Sequence, residues 1–317
     1  MSGNNKKSRA HHGSTSHKPR QATARDWISG ARLRTLPLAV SPVLVGAGAA
    51  AAESGFSLAL SLLCLTIALA LQIGVNYSND YSDGIRGTDD FRVGPARLTG
   101  SGAANPKKVL AVALAFFALA AVAGLIIVLI TAQWWMIAVG ALAIVAAWFY
   151  TGGKRPYGYA GLGELMVFVF FGLVATAGTT YVQLGSVTQA SWFGAVGVGL
   201  IACAVLVVNN IRDIPTDTQA GKKTLAVLMG STRSIALFVF LLLVPFLIAA
   251  ALAIVYPVAW FAMFALLLAL PACLITMTAK SPGEYILALK LASLTSLAYA
   301  VFISLALFVG PQLSQNL

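Results

Sequence analysis

Two short acidic stretches stand out in this 317-residue chain, and most of its carboxylates lie in or just after them. The first runs from Asn79 to Asp83 and the second from Asn209 to Asp217. Six of the ten acidic residues lie in or just after these stretches: Asp80, Asp83, Asp89, Asp90, Asp213 and Asp217. The surrounding sequence is strongly apolar, and carboxylates at the ends of membrane helices usually mark a metal site, a proton path or an ion path.

The polar residues of both stretches recur at helical spacing, because residues four apart share one face of a helix. The separation of four recurs in Asn76 and Asp80, in Asn79 and Asp83, and in Asn209, Asp213 and Asp217. Pro215 predicts a disrupted helix near Asp217. Each stretch is therefore predicted to lie at the end of a helix.

Basic residues accompany the acids in both regions. Residues 79–108 contain four acids and five bases, and residues 209–223 contain two acids and three bases. A bare cation site needs no such bases, whereas a magnesium–diphosphate site needs both charges. Mg²⁺ takes carboxylate and phosphate oxygens, and Lys and Arg bind the remaining phosphate oxygens. A diphosphate whose organic part lies in a bilayer is a polyprenyl diphosphate, and metal and basic groups stabilise its pyrophosphate leaving group.

Nine apolar runs, each near the roughly 20 residues that a membrane helix needs, must position these stretches. They lie at about 36–53, 56–76, 109–131, 133–150, 163–184, 192–211, 235–255, 257–278 and 288–309. Lipid offers no partner to backbone N–H and C=O groups, so such runs are helical. With 59% hydrophobic and 10% charged residues, the composition excludes a soluble domain. It predicts an all-α integral membrane protein with nine transmembrane helices, in one domain at residues 25–317.

All 21 Lys and Arg residues fall on one side of this topology. Eight lie in the N-terminal segment, and five, two, four and two lie in the 2–3, 4–5, 6–7 and 8–9 connections. Cytoplasmic loops are enriched in Lys and Arg. The pattern predicts a cell inner or plasma membrane protein with a cytoplasmic N-terminus, a C-terminus outside and a site facing the cytoplasm. It also accounts for the net charge of +11 without a nucleic-acid partner.

An ion-coupled membrane transporter is the alternative from a different class of function. Transporters place ionisable groups near the middle of the bilayer. Here the acids gather at one face, and the middles of the apolar runs are nearly free of ionisable residues. This distribution favours a one-sided site.

The first 24 residues are predicted to be a disordered basic cytoplasmic tail. They contain all three histidines, His11, His12 and His17, for which metal binding is the alternative role. The three cysteines lie within apolar runs and show neither disulfide nor zinc spacing.

In these motifs the chain resembles the UbiA-type intramembrane prenyltransferases. That family carries Asn-Asp-x-x-Asp-x-x-x-Asp and Asp-x-x-x-Asp motifs. Asn79, Asp80 and Asp83 match the first motif, and Asp213 and Asp217 match the second. The last position of the first motif is Gly87 here, and Asp89 is the candidate replacement. Further segments resemble the 1,4-dihydroxy-2-naphthoate branch: Gly94-Pro95-x-Arg97, Asn209-Asn210-x-Arg212-Asp213, Gly221 to Val227, Arg34 to Pro37, Tyr150 to Lys154 and Gly161 to Glu164.

The resemblance implies a bundle of nine helices around a central cavity, with cytoplasmic cap loops over the acidic motifs. It implies Mg²⁺-dependent transfer of a polyprenyl group from polyprenyl diphosphate to 1,4-dihydroxy-2-naphthoate, with release of pyrophosphate and CO2. The product would be demethylmenaquinone, in menaquinone biosynthesis. Another aromatic acceptor such as 4-hydroxybenzoate is the alternative within the family.

Site residues follow from the motifs and the resemblance together. The expected metal ligands are Asn79, Asp83, Asp89, Asp213 and Asp217. The expected catalytic residues are Asp80, Asp83, Lys154 and Asp213. The expected substrate-binding residues are Arg34, Tyr150, Lys154, Asn209, Arg212, Lys222 and Lys223.

Five of these residues have open alternatives. Asp80 is a catalytic residue or orients a basic partner, and Asp89 is a metal ligand or a loop cap. Lys222 and Lys223 bind phosphate or are ordinary loop charges. Arg34 pairs with the acceptor carboxylate or anchors the chain at the cytoplasmic face.

Overall fold

The computed structural model describes residues 21–89 and 97–314 of the chain, with side-chain burial described as far as residue 310. Within these ranges the regular elements are helices, which confirms the predicted all-α membrane class. Most of the predicted basic tail, together with Asp90, Gly94 and Pro95, lies outside the described residues.

Eleven helices follow one another along the described chain. They are α1 Ala24–Gly30, α2 Pro37–Ala52, α3 Leu58–Ile85, α4 Pro106–Thr131, α5 Met136–Phe149, α6 Gly163–Leu184, α7 Gln189–Gln219, α8 Leu225–Met229, α9 Ser231–Val255, α10 Pro257–Thr278 and α11 Pro282–Ser314. A π-helical segment, Phe168–Val174, lies inside α6. Short 3₁₀ turns occur at Leu33–Thr35 and Tyr157–Tyr159.

Seven of these helices, α3, α4, α6, α7, α9, α10 and α11, are long and apolar enough to cross a membrane. An eighth span results if α2 is joined to Ala24–Thr35 across a bend of 47°. Helix α5 has 14 residues, or about 21 Å at 1.5 Å per residue, against a hydrocarbon core of about 30 Å. Each predicted apolar run falls on a helix, while the count of nine spans stays a prediction.

Polar residues at the chain turns determine where several helices begin. Ser57, Thr188 and Thr224 accept hydrogen bonds from backbone N–H groups in the first turns of α3, α7 and α8. Asn105 does the same for α4, with Pro106 at its first position. Such caps satisfy N–H groups that have no partner inside the helix.

Helix α7 lies at the centre of the bundle. In its most apolar window 72% of the residues are buried, against 33% for α3, α4 and α6. Small residues allow close packing there: a Cβ added at Gly197 would lie 2.5 Å from the hydroxyl of Tyr299 on α11. Because α7 is held on several sides, it provides a rigid support for the second acidic stretch.

The predicted disruption of this helix at Pro215 is wrong. Helix α7 continues through Pro215 to Gln219. Proline removes a single backbone N–H, and this occurs close to the end of the helix. Nearby hydroxyls bond to the backbone, with Thr216 donating to the Asp213 carbonyl at 3.0 Å and Thr218 to the Ile214 carbonyl at 2.7 Å. Asp217 therefore stays in register with Asp213 on one helical face.

Candidate active site

The ends of α3 and α7 meet at a polar pocket of about 70 Å³. Eight residues expected from the sequence line it: Asn79, Asp83, Asp89, Tyr150, Asn209, Asp213, Asp217 and Lys222. Arg32, which lies between α1 and α2, lines it too, as do Arg97 and Tyr159 from the loops between α3 and α7. The two acidic stretches, more than a hundred residues apart in sequence, thus face one another.

Asp83 lies at the meeting point of three chain segments. Asp83 is 3% exposed, and its carboxylate accepts a hydrogen bond from the Tyr159 hydroxyl. The Lys222 ammonium lies 3.5 Å from it and the Arg97 guanidinium 3.6 Å from it. One carboxylate therefore holds together the connections between α3 and α4, between α5 and α6, and between α7 and α8. The cytoplasmic cap loops were expected at these connections.

The second stretch presents an acid already held by its neighbour. Arg212 forms two parallel bonds to Asp213, with Nε–Oδ1 at 2.7 Å and Nη2–Oδ2 at 2.5 Å. Its Nη2 also donates to Asn209 at 3.0 Å. The Arg212 side chain is 1% exposed and does not line the polar pocket. One turn further on, Asp217 lies 3.8 Å from the Lys222 ammonium.

Asp80 lies outside the pocket. Its two carboxylate oxygens accept backbone N–H bonds from Leu98 at 2.9 Å and Thr99 at 2.8 Å. These are the residues that directly follow Arg97, so the geometry supports the orienting role that the sequence left open. Asp80 thus holds the backbone of the loop that carries Arg97, and its expected catalytic role stays a prediction.

Arg97 belongs to a segment that resembles the naphthoate branch, but the sequence predicted no role for it. Its side chain is 9% exposed and lies between Asp83 and Asp89, at 3.6 and 3.7 Å. Burial alone lowers the pKa of a guanidinium, but Asp89 and Asp83 outweigh it and raise the pKa of Arg97. Its Nη1 is buried without a hydrogen-bond partner among the described residues. It is therefore a charged donor facing an acidic pocket.

The departure from the family motif at Gly87 has a backbone explanation. Gly87 has a φ of +71°, in the left-handed region that glycine adopts at little cost. The turn follows the end of α3 and brings Thr88 and Asp89 to the wall of the pocket. An aspartate at this position would be strained, and Asp89 reaches the site two residues later.

Tyr159 was missed by the sequence reasoning. Besides its bond to Asp83, its ring lies 4.6 Å from the Lys222 ammonium and 5.7 Å from the Arg86 guanidinium. Burial, followed by the charge of Asp83, raises the pKa of Tyr159, so the hydroxyl remains a neutral donor at physiological pH. Nothing in the sequence pattern distinguished it from neighbouring Tyr157.

Besides Asp80 and Arg212, three more expected residues lie outside the polar pocket. Lys154 and Lys223 are exposed and line neither this pocket nor the adjoining cavity. The backbone N–H of Lys223 donates to the Tyr159 carbonyl at 3.0 Å. Arg34 lines the adjoining cavity rather than the polar pocket. The assigned roles of Lys154 and Lys223 stay predictions.

An apolar cavity of about 600 Å³ adjoins the polar pocket. The two share Arg32, Asn79, Tyr150 and Asn209. Its walls come from α2 to α7, and Leu289 of α11 also lines it. A molecule with a small anionic head and a long apolar tail would find matching surroundings in the two spaces.

Magnesium fits this donor set when a phosphate group accompanies it. The described residues contain no preformed cluster of three or more His, Cys, Asp or Glu side chains. Mg²⁺ is commonly held by one or two carboxylates together with substrate phosphates. The buried Nη1 of Arg97, which lines the pocket and has no hydrogen-bond partner among the described residues, suits an anionic ligand.

Comparisons with known proteins agree with this architecture. The profile of the UbiA prenyltransferase family matches residues 39–283. A 1,4-dihydroxy-2-naphthoate octaprenyltransferase of Mycobacterium tuberculosis is 49% identical over 289 residues, covering 91% of this chain and 99% of that protein. A protein of the same name from Haemophilus influenzae is 36% identical over 296 residues, covering 90% and 96%.

Solved structures share the fold. A UbiA homologue from Aeropyrum pernix matches with a TM-score of 0.65 at 16% identity, covering 86% of this chain and 97% of that one. A UbiA homologue from Archaeoglobus fulgidus bound to GPP and Mg²⁺ matches with a TM-score of 0.61 at 15% identity, covering 88% and 99%.

The expected family and its naphthoate branch are thus confirmed by a profile match over most of the sequence and by relatives aligned along nearly its whole length. The chain belongs to the UbiA prenyltransferase family.

Proposed function

We propose that this protein transfers a polyprenyl group from polyprenyl diphosphate to 1,4-dihydroxy-2-naphthoate, in a Mg²⁺-dependent reaction that releases pyrophosphate and CO2. The product is demethylmenaquinol, the quinol form of demethylmenaquinone, which a separate two-electron oxidation converts to the quinone. The observation that carries the proposal is the direct contact between a buried, charged pocket and an apolar cavity of about 600 Å³. The names of the two aligned relatives support the choice of acceptor. Family membership favours this enzyme over an ion-coupled transporter.

The diphosphate head belongs in the polar pocket. Asp83, Asp213 and Asp217 would hold Mg²⁺, with Asn79 and Asp89 beside them. The bound ion supplies positive charge that stabilises the departing pyrophosphate. Arg97 and Lys222 approach the same carboxylates, so an incoming diphosphate would share these cations with the acids.

The prenyl tail belongs in the apolar cavity, with its first carbon near the boundary residues Asn79, Tyr150 and Asn209. Asn79 is held there by the Thr151 hydroxyl, which donates to its side-chain oxygen at 2.6 Å. Fixing the allylic carbon next to the diphosphate site positions the bond that breaks.

The acceptor carboxylate belongs near Arg34, at the rim of the apolar cavity. The Arg34 Nε is buried without a hydrogen-bond partner in the described part of the chain. Nearby, Gln72 donates to the Thr35 hydroxyl at 3.1 Å, and all three residues line the cavity. A guanidinium at this position would bind the carboxylate of a planar aromatic acid.

The electron balance of the reaction needs no separate strong base. The ring carbon that bears the carboxylate forms a bond to the allylic carbon, and the C–O bond electrons leave with pyrophosphate. The C–C bond to the carboxylate then breaks, its electron pair restores the aromatic ring, and CO2 departs. Decarboxylation takes the place of proton removal. This is compatible with a sequence whose three histidines all lie within the first 17 residues.

We further propose that the protein lies in the cell membrane with its N-terminus and active site at the cytoplasmic face and its C-terminus outside. The support is the distribution of Lys and Arg among alternate connections.

An acceptor panel tests the proposed reaction. Membranes containing the protein are incubated with labelled polyprenyl diphosphate and 1,4-dihydroxy-2-naphthoate, 4-hydroxybenzoate or no acceptor, with Mg²⁺ or with a chelator. We expect a prenylated product and CO2 release only with the naphthoate and only with Mg²⁺. Product from 4-hydroxybenzoate at an equal rate would overturn the choice of acceptor, and undiminished turnover with the chelator would overturn the metal requirement.

A further inference from the structure

Three glycines in the apolar cavity face empty space. A Cβ added at Gly140 or Gly178 would meet no heavy atom of the described residues within 4 Å. At Gly124 it would meet only the Ile67 Cδ1, at 3.9 Å. Glycines between membrane helices usually allow close packing, as at Gly172, where a Cβ would lie 2.7 Å from the Gly199 backbone. The three cavity glycines have no such packing role.

Each of these glycines lies on the cavity face of a different helix. On α5, Gly140 lies in line with Met136, Ala143 and Ala147, all of which line the cavity. Residues at these spacings share one helical face. Ala138 and Leu142 are exposed and do not line the cavity, so they mark the opposite face. Gly124 on α4 and Gly178 on α6 are likewise flanked by cavity-lining residues three or four positions away.

All three glycines lie far from the polar pocket. Tyr150 follows α5 and lines both spaces. Gly140 precedes it by ten residues, which is about 15 Å along a helix. Gly124 and Gly178 lie seven residues before the end of α4 and six before the end of α6. They surround the distal half of the cavity.

An apolar cluster forms the floor beyond these glycines. Val43, Cys64, Ile127 and Val182 pack together and are buried, with Met136 against them. The same residues line the cavity. Ile127, Val182 and Met136 each lie one helical turn further from the polar pocket than the glycine on the same helix. This floor closes the far end of the cavity. The three glycines have no side chains, so the space between the cavity walls just before the floor stays empty.

We propose that Gly124, Gly140 and Gly178, together with this floor, form the pocket that determines which prenyl chain length the enzyme accepts. The proposal rests on the proposed function and adds a specificity determinant to it. A short prenyl diphosphate fills only the part of the cavity near Tyr150. A longer chain occupies the space beside the glycines, which a larger side chain at any of them would take.

The test substitutes leucine at one glycine and measures chain-length preference. Gly140→Leu and Gly178→Leu are compared with wild type and with Ala138→Leu, a matched control on the outer face of α5. Each membrane preparation receives geranyl and octaprenyl diphosphates in one mixture with the naphthoate acceptor. The product ratio then reports relative kcat/KM and does not depend on how much protein has folded.

We expect the octaprenyl-to-geranyl product ratio to fall at least about tenfold in both glycine variants, since one misfitting methylene in an apolar pocket changes discrimination by roughly 10- to 200-fold. Ala138→Leu should keep the wild-type ratio. Unchanged ratios in both glycine variants, or an equal fall in Ala138→Leu, would overturn the proposal.

A binding measurement separates this proposal from the acceptor assignment. The rise in Tm on adding geranyl or octaprenyl diphosphate with Mg²⁺, without acceptor, should become smaller only for the long chain in the glycine variants. If wild type forms no naphthoate product but this difference is present, the acceptor assignment fails and the chain-length pocket stands. An equal rise in Tm for both chains in wild type and variants would contradict the pocket itself.

Discussion

Replacing Asp80 with alanine is predicted to weaken diphosphate binding, although the Asp80 carboxylate does not line the polar pocket. Its two oxygens hold the backbone N–H groups of Leu98 and Thr99 at 2.9 and 2.8 Å. This contact fixes the loop that brings Arg97 to Asp83. We therefore expect Asp80→Ala to act by displacing Arg97.

The size of the effect follows from these bonds. A hydrogen bond to a charged group contributes roughly 1.5–3 kcal/mol, so the two together hold the loop with about 3–6 kcal/mol. Without them, Arg97 loses a charge-assisted contact to the diphosphate that contributes about 1.5–3 kcal/mol. Because 1.4 kcal/mol corresponds to a factor of ten, KM for the diphosphate should rise roughly 10- to 100-fold.

The assay compares wild type, Asp80→Ala, Arg97→Ala and the double variant at saturating acceptor. KM for the diphosphate and the Mg²⁺ concentration for half-maximal rate are measured for each. If Asp80 acts through Arg97, the double variant is no worse than Arg97→Ala. Asp80→Ala keeps the wild-type Mg²⁺ requirement, whereas Asp83→Ala changes it.

Two results would refute this reasoning. Fully additive losses in the double variant would mean that Asp80 acts independently of Arg97. A Mg²⁺ requirement in Asp80→Ala that shifts as much as in Asp83→Ala would place Asp80 among the metal ligands.

Three further predictions concern the neighbours of this loop and the topology. Tyr159→Phe keeps the ring beside Lys222 but removes the hydroxyl that donates to Asp83. Because this bond is lost, kcat/KM should fall roughly tenfold. An unchanged kcat/KM would contradict the role of this bond. Arg212→Lys keeps the positive charge but loses the two parallel hydrogen bonds to Asp213. We expect kcat/KM to fall at least about tenfold. Wild-type activity in this variant would mean that the charge alone suffices. A reporter enzyme that folds only outside the cytoplasm should be active when fused after Leu317 and inactive when fused after Gly221, and the reverse result would invert the proposed topology.

Hydrophobic run length and charge distribution predicted much of the fold. Helix α7 illustrates the limit of such reasoning. The apolar run at about 192–211 was found, but the helix extends to Gln219 through Pro215, because one missing N–H near a helix end does not outweigh the surrounding bonds. Local propensity alone did not predict that continuation.

The acidic ligand candidates were predictable because their spacing follows one helical face. Their partners were not. Tyr159 and Lys222 reach Asp83 from 76 and 139 residues away along the chain, and the geometry of the connecting loops brings them there. Asp80 and Asp83 are equivalent in spacing, yet one holds a backbone loop and the other lines the pocket, a difference that only the fold provides.

The central claim is that the acids of both stretches act together on a prenyl diphosphate. The most direct test measures formation of the decarboxylated, prenylated naphthoquinol by wild type, Asp83→Ala and Asp213→Ala at equal protein amounts in membranes. We predict that each variant loses roughly 100-fold or more of the wild-type rate. Full turnover by both variants would contradict the assignment of this pocket as the active site.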